Sequence, residues 1–476
     1  MQLPAVRPSG ALFTRTILSL MLLLSLAAGE ARALSADDFA PLVVDGKVAA
    51  ASHGLWQSRG YGRVLRLQAD SVELIDVTSV GCMRGTFEPE EFAQFVRRYA
   101  IEDGVLTIAD LPESTAFTLD PIDEEPASCA RELEETPKDT FDYFYAVMDE
   151  LYAFFDLHEV DWKAQGEQFR SRVGPETTER ELYEIFTTML EDVDDGHLSL
   201  TATIDGERER FAGQRTRTLG PILRAEYHKK KKRKESMGRF QTDWFFGTKK
   251  RMRRVLGRSS TDAAGGNVLW GRIGDVGYIT VYGMGGFDDD DDASIDEEVA
   301  AVHRIIGQAV TDLADTRKMI VDVTLNQGGL DDVGRAIASH FAAERTFAYD
   351  KQPFRKETPR QRFYVEPAKG PRYLKPVILV TSDATVSAAE TFTMSMRSLP
   401  NVTHVGTTTM GALSDILDKT LPNGWDLAIS HEIYLDHEGV LWEGKGIPPA
   451  REITIWDPDN VRKSHAEVMK RLAAER

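Results

Sequence analysis

Residues 376–397 read PVILVTSDATVSAAETFTMSMR, and this stretch decides the fold because it encodes a buried strand, a tight turn and a helix in succession. The β-branched run 377–380, bounded by Pro376 and the polar Ser382 and Asp383, predicts a strand covered on both faces. Beyond the turn, Ala388, Ala389, Phe392, Met394 and Met396 predict a helix. Ser387 then falls at the helix N-terminus, where unpaired N–H groups and the positive end of the dipole stabilise developing negative charge. The same serine forms S-x-x-E with Glu390, a capping box in which it does no more than satisfy the first turn. The stretch by itself leaves both roles open.

The flanking sequence extends the pattern. Upstream, residues 319–325 (MIVDVTL) predict a buried strand, followed by Asn326-Gln-Gly-Gly and a helix from about Asp331. Consecutive glycines after a strand let the backbone approach a ligand with its N–H groups outward, or simply make a tight strand-to-helix turn. Downstream come strands at 402–406 and 425–434, with Leu421-Pro-Asn-Gly as a hairpin signal. Strand and helix in alternation predict an α/β fold with a largely parallel sheet covered by helices.

The chain of 476 residues is long enough for two or three domains, with the hydrophobic (42%) and charged (28%) content of a globular protein. Arg7 and Arg15 precede an apolar run over 17–28 and the small-x-small site 31–33, so residues 1–33 read as a secretory signal peptide and the expected location is secreted or periplasmic. An uncleaved anchor is the other reading of that run, and no other stretch is long and apolar enough to span a bilayer. Cleavage takes the formal charge from −19 to −21, since Arg7, Arg15, Arg32 and Glu30 are lost. That acidity argues against nucleic acid as a partner. Cys82 and Cys129 could pair in an oxidising compartment or remain two buried thiols, and with no histidine nearby they do not make a zinc site.

Residues 34–135 read as a small β-rich N-terminal domain, with alternating runs at 64–67 and 72–77 and one helix over 92–99. Residues 136–200 change to helical spacing, with one apolar face over 141–155 and a second over 182–190. His197 follows Asp194-Asp195-Gly196 on a turn and opens an alternating run, where an isolated histidine is ordinarily just solvated. Residues 201–265 are an insertion rich in lysine and arginine, read as mobile and solvated, with contact to an anionic surface or acidic substrate as the sharper alternative. Residues 266–455 carry the α/β core, and 456–476 a charged terminal helix. The aspartates 288–292 lack the ligand spacing of a calcium loop and suit the start of the helix that follows.

In chain order, LYAFFDLHEVDW (151–162), MLEDVDDGH (189–197), GYITVYGM (277–284), DVTLNQGG (322–329), VSAAE (386–390), GTTTMG (406–411) and EGKGIPP (443–449) resemble the S41 family of serine peptidases: the tail-specific or C-terminal processing proteases and their tricorn-like relatives. The resemblance implies a crotonase-like α/β core with Ser387 as nucleophile. It implies an oxyanion hole from the N–H groups of Gly328 or Gly329 and of Ala388, and neither metal nor cofactor. The lysine that serves as base in the processing branch is replaced here by Ala412. The tricorn-like branch instead uses a histidine and a glutamate, which correspond to His197 and Glu443. Thr324 and Ala450 stand where the family carries an arginine and an aspartate, and no PDZ domain is recognisable. The implied function is hydrolysis of a peptide or protein substrate through an acyl-enzyme; a catalytically silent binding protein on the same fold is the alternative.

Overall fold

The computed structural model of the chain describes residues 35–213, 217–229, 235–290, 292–354 and 359–475. The segment read as a signal peptide lies outside them, as does most of the lysine run that follows Lys229. From Ala36 on, the described residues form one compact unit of mixed α/β structure. At its centre lies a seven-stranded sheet in the order Thr261–Ala263, Val268–Ile273, Val276–Val281, Lys318–Asp322, Val377–Thr381, Val402–Gly406, Arg451–Glu452. From Val276–Val281 onward the pairing is parallel, with Ile320 opposite Ile378 and Leu379 opposite His404. The first strands add an antiparallel edge.

Both faces of this sheet are covered, which is why its strands are continuous apolar runs rather than alternating ones. Val321, Val377 and Leu379 face one core, packed by the helices Ile295–Asp312, Asp331–Ser339 and Ala388–Arg397 through Ile306, Val333 and Phe392. Ile320, Val380 and Val405 face the other, beneath Trp244, Leu256, Val468 and Met469. The terminal helix Ser464–Ala474 is fastened there by His465 Nε2, 2.7 Å from Asp322 Oδ2, while Tyr278 donates its hydroxyl to the same oxygen at 2.6 Å. Burial pushes the Asp322 carboxyl up, but the His465 ring and these hydrogen bonds outweigh it and hold the group below the usual range.

Two further layers flank the centre. Helices Pro137–Leu151, Trp162–Arg170 and Glu179–Leu190 bury Phe144, Phe186 and Met189 against Leu200, Leu427 and Ile429 of a four-stranded sheet. That sheet runs Glu207–Ala212, Ser199–Ile204, Asp426–Ser430, Ile416–Thr420 and is wholly antiparallel. The N-terminal region is an eight-stranded antiparallel sheet over residues 40–121, and its Cys82 is paired with Cys129. It is docked by buried polar contacts. Tyr61 donates to Glu432, Arg335 donates to Glu113 O at 3.0 Å, and Lys419 donates to Tyr61 O at 3.2 Å while pairing with Asp76.

Three expectations are corrected. The basic segment is not mobile over its described residues: it forms the helices Leu219–His228 and Met237–Leu256, whose Leu219, Leu223, Phe240, Trp244, Met252 and Leu256 lie buried. Counting charges hid an apolar stripe at helical spacing, and that stripe covers the second face of the central sheet. The helix expected over 92–99 is a single turn, Pro89–Phe92, followed by the strand Arg98–Glu102. The strand expected over 425–434 is two, Asp426–Ser430 and Glu432–Asp436, which belong to different sheets.

Trp244 packs edge-on against Trp456 at 5.2 Å and is 4% exposed. Trp244→Ala is therefore expected to cost about 3–5 kcal/mol in urea unfolding and to open Lys249 to Arg254 to trypsin. A loss under about 1 kcal/mol with unchanged protection contradicts this packing.

Candidate active site

Ser387 stands between the strand Val377–Thr381 and the helix Ala388–Arg397, with φ +59° and ψ −129°. Residues that do nothing but cap a helix have extended backbone, and in this chain Thr136, Thr178, Ser236 and Ser294 all do, with φ between −97° and −69° and ψ from 151° to 163°. A non-glycine residue at positive φ is strained by about 1–3 kcal/mol and persists only where its surroundings fix it. Here they do. The Ser387 N–H donates to Ala412 O at 2.9 Å and, less closely, to Glu390 Oε2 at 3.3 Å.

Glu390 is fully buried and tied to the loop that follows the strand Val402–Gly406. Its Oε1 accepts from Thr409 Oγ1 at 2.6 Å and Gly411 N at 2.8 Å, and its Oε2 accepts from Ala412 N at 2.9 Å. Burial nevertheless pushes its carboxyl up to about 7, the hydrogen bonds opposing. The next two residues of the loop, Leu413 and Ser414, both donate their N–H to Glu443 Oε2 at 2.9 Å. Burial first, and then the charges of Asp195 and Glu390, push the Glu443 carboxyl well above the usual carboxylate range.

The paired glycines meet the serine directly. A Cβ on Gly328, at φ +88°, would lie 2.6 Å from Ser387 Cβ and 3.1 Å from Ala388 N; one on Gly329 would lie 2.3 Å from Met284 O. Only glycine permits that approach. The Gly328 N–H already donates to Asn326 Oδ1 at 2.9 Å. Among the described residues, no hydrogen-bond acceptor is found for the N–H of Gly329 or of Ala388.

His197 is half-buried on the turn before Ser199–Ile204, and its backbone N–H donates to Asp195 Oδ1 at 2.8 Å. Asp195 is itself fixed by Tyr152 Oη at 2.8 Å and Ser430 Oγ at 2.9 Å. The His197 Nδ1 is buried without a hydrogen-bond partner among the described residues. The sequence-derived residues thus gather through intermediaries. Ser387 is joined to Glu443 by residues 412–414, and Glu443 feels the charge of Asp195, which holds the His197 turn. The His197 ring makes no hydrogen bond to Ser387 or Glu443.

Three residues that the sequence reading does not single out stand beside these groups. Glu390 was visible only as a cap. Asp195 was visible as a turn residue, although its neighbour His197 was singled out. His158 lay inside a matched motif, and its ring approaches Gly444, since a Cβ there would lie 3.7 Å from its Cε1. Its Nε2 is likewise buried and unpartnered among the described residues, and burial lowers its pKa against the charges of Asp195 and Asp194.

Residues 275–453 match the model of peptidase family S41, and residues 133–191 match that of the tricorn protease C1 domain. Among solved structures, a candidate peptidase from Parabacteroides merdae is 24% identical, with a TM-score of 0.54 over 71% of this chain and 97% of its own. Mature CPAF is 10% identical, with a TM-score of 0.49 over 71% of this chain and 96% of its own. The photosystem II D1 C-terminal processing protease is 12% identical, with a TM-score of 0.40 over 69% and 96%.

Because both oxygens of Glu390 receive hydrogen, an amide in its place turns its NH₂ against donors. Glu390→Gln is expected to destabilise the protein by about 1–3 kcal/mol in urea unfolding; no loss would mean that the loop holds itself. A carboxyl whose pKa is raised to about 7 by folding keeps a proton that the unfolded chain gives up. Its contribution is therefore full at pH below the ordinary glutamate range and lost as pH rises through about 7, so Glu390→Gln should flatten the fall in stability over that interval.

Proposed function

We propose that this chain, a serine-type peptidase by the peptidase family S41 domain it carries over residues 275–453, cleaves peptide bonds through an acyl-enzyme on Ser387 with His197 as general base. The observation that carries the reading is the positive-φ backbone of Ser387 with Gly328 packed against it. That conformation is costly for a cap and turns a serine out of a strand-to-helix bend, as a nucleophile requires.

In this reading Ser387 Oγ attacks the substrate carbonyl while the His197 ring takes its proton. The tetrahedral oxyanion receives the N–H groups of Gly329 and Ala388, with Gly328 supplying the close approach rather than a donor. The proton passes to the leaving amine, and water then resolves the ester with the same histidine as base. Donors fixed before the charge develops do not have to reorganise in the transition state, which is why such a hole can dominate the rate. Glu443, whose carboxyl burial pushes above the usual range, helps to orient the His197 ring from its Nδ1 side. The Ser387 to His197 contact closes as substrate enters, since catalytic hydrogen bonds are commonly longer in its absence.

The reading extends to architecture and address. The central sheet and its helices make a crotonase-like catalytic core over residues 266–455, with 136–200 as a helical subdomain and 34–135 as an N-terminal β domain. Export to the periplasm or beyond follows from the signal-like residues 1–33. Among the described residues, no helix is long and apolar enough to cross a membrane. Ala412 in the place of a catalytic lysine and the open His197 contact favour the second reading, a silent binding protein on the same fold.

A fluorophosphonate probe separates the two. The wild type should be labelled, Ser387→Ala not at all, and His197→Ala at a rate lower by about a thousandfold or more. Labelling that survives Ser387→Ala, or a well-folded wild type that never reacts, overturns the assignment.

A further inference from the structure

Away from Ser387 lies a cavity of about 820 Å³ between the N-terminal sheet and the four-stranded sheet, within the size range of sites for small organic ligands. One wall is apolar. Leu65, Leu74, Ile108, Phe117 and Leu119 line it from strands that are paired with neighbours on both sides, and Phe95, 66% exposed, stands at its mouth. The facing wall is polar and comes from the side of the four-stranded sheet turned away from the helices. Register sets Arg208 opposite Thr203 and Arg210 opposite Thr201, with Asp426 on the far side of Thr201 and Asp418 on the strand beyond.

The charges around the cavity are unequally committed. Lys419 and Arg63 are both spent on Asp76. Arg208 and Arg210, two residues apart on one face of their strand and both exposed, have no ion-pair partner among the described residues. The carboxylates lie towards the other edge of the wall. An anionic group entering the cavity is therefore drawn to the arginine edge.

We infer that this cavity binds a long-chain carboxylate of the fatty-acid type, its hydrocarbon chain against the N-terminal sheet and its head group on Arg208 and Arg210. An acyl chain suits the apolar wall because it brings no group that needs a hydrogen bond. A polypeptide would bring N–H and C=O groups into a cup whose lining strands have already paired their own, leaving them unsatisfied.

The test uses the full chain, with dodecanoate below its micelle concentration as probe and isothermal titration as readout. One saturable site is expected. The double variant Arg208→Gln, Arg210→Gln, altered only at exposed positions, should weaken dodecanoate by roughly tenfold or more while leaving dodecan-1-ol unchanged. Phe95→Asp, which sets a like charge at the mouth, should weaken dodecanoate more than the alcohol. Absence of saturable binding, equal binding by the double variant, or preference for an apolar peptide with a free C-terminus over dodecanoate overturns the proposal. None of these readouts depends on Ser387, so the failure of one assignment leaves the other standing.

Discussion

The candidate site depends on a buried carboxylate that no solvent reaches. Glu390 gathers a threonine hydroxyl and three backbone N–H groups, and those donors come from two places: Ser387 itself and the loop 409–412. Taking a carboxyl out of water is unfavourable by several kcal/mol unless its lone pairs are met, and here they are met by the chain segments whose positions matter most. The helix N-terminus is locked to the loop, the loop hands its next two amides to Glu443, and the unfavourable backbone of Ser387 is held by bonds on either side of it. Capping the helix and shaping the Ser387 turn are here one device. The cap anchors the loop, and the anchored loop imposes the strain.

The same economy governs how the outer layers attach. Lys351 and Lys419 have side chains 2% and 1% exposed, and each is matched by carboxylates from elsewhere in the chain: Lys351 by Asp415 and Glu432, Lys419 by Asp76. Burial drives the Lys419 amine down to about 8 against the pull of Asp76. Such pairs add little net stability, but losing one partner strands a charge in the interior, so they discriminate sharply between correct and incorrect docking. Tyr61 belongs to this arrangement from both sides, since it donates to Glu432 and also lines the apolar cavity.

Much of this was legible in the residues. The strand at 377–380, the helix after Ser387, the double glycine and the helix from Asp331 were readable because buried strands and tight turns leave local signatures: β-branched runs, small residues and punctuation by glycine and proline. What escaped was non-local. The basic segment looked solvated because lysine and arginine dominate its composition, while its packing rests on six apolar residues spread over two helices. The two roles of the glycines were also hidden, for nothing in Asn326-Gln-Gly-Gly announces that the Asn326 side chain occupies one N–H while the next meets no acceptor among the described residues. Nor does any local pattern announce that Asp195, rather than the more distant Glu443, would hold the His197 turn.

The clasp between His465 and Asp322 joins segments that lie far apart in the sequence. Asp322 ends the strand that leads into the paired glycines, and its partner histidine stands on the helix Ser464–Ala474, 143 residues away in sequence. The strand beneath the glycines is thus braced from the face of the sheet opposite the helix that begins at Ala388. A change in the terminal helix therefore reaches the glycine turn through the sheet, without passing through the loop that holds Ser387.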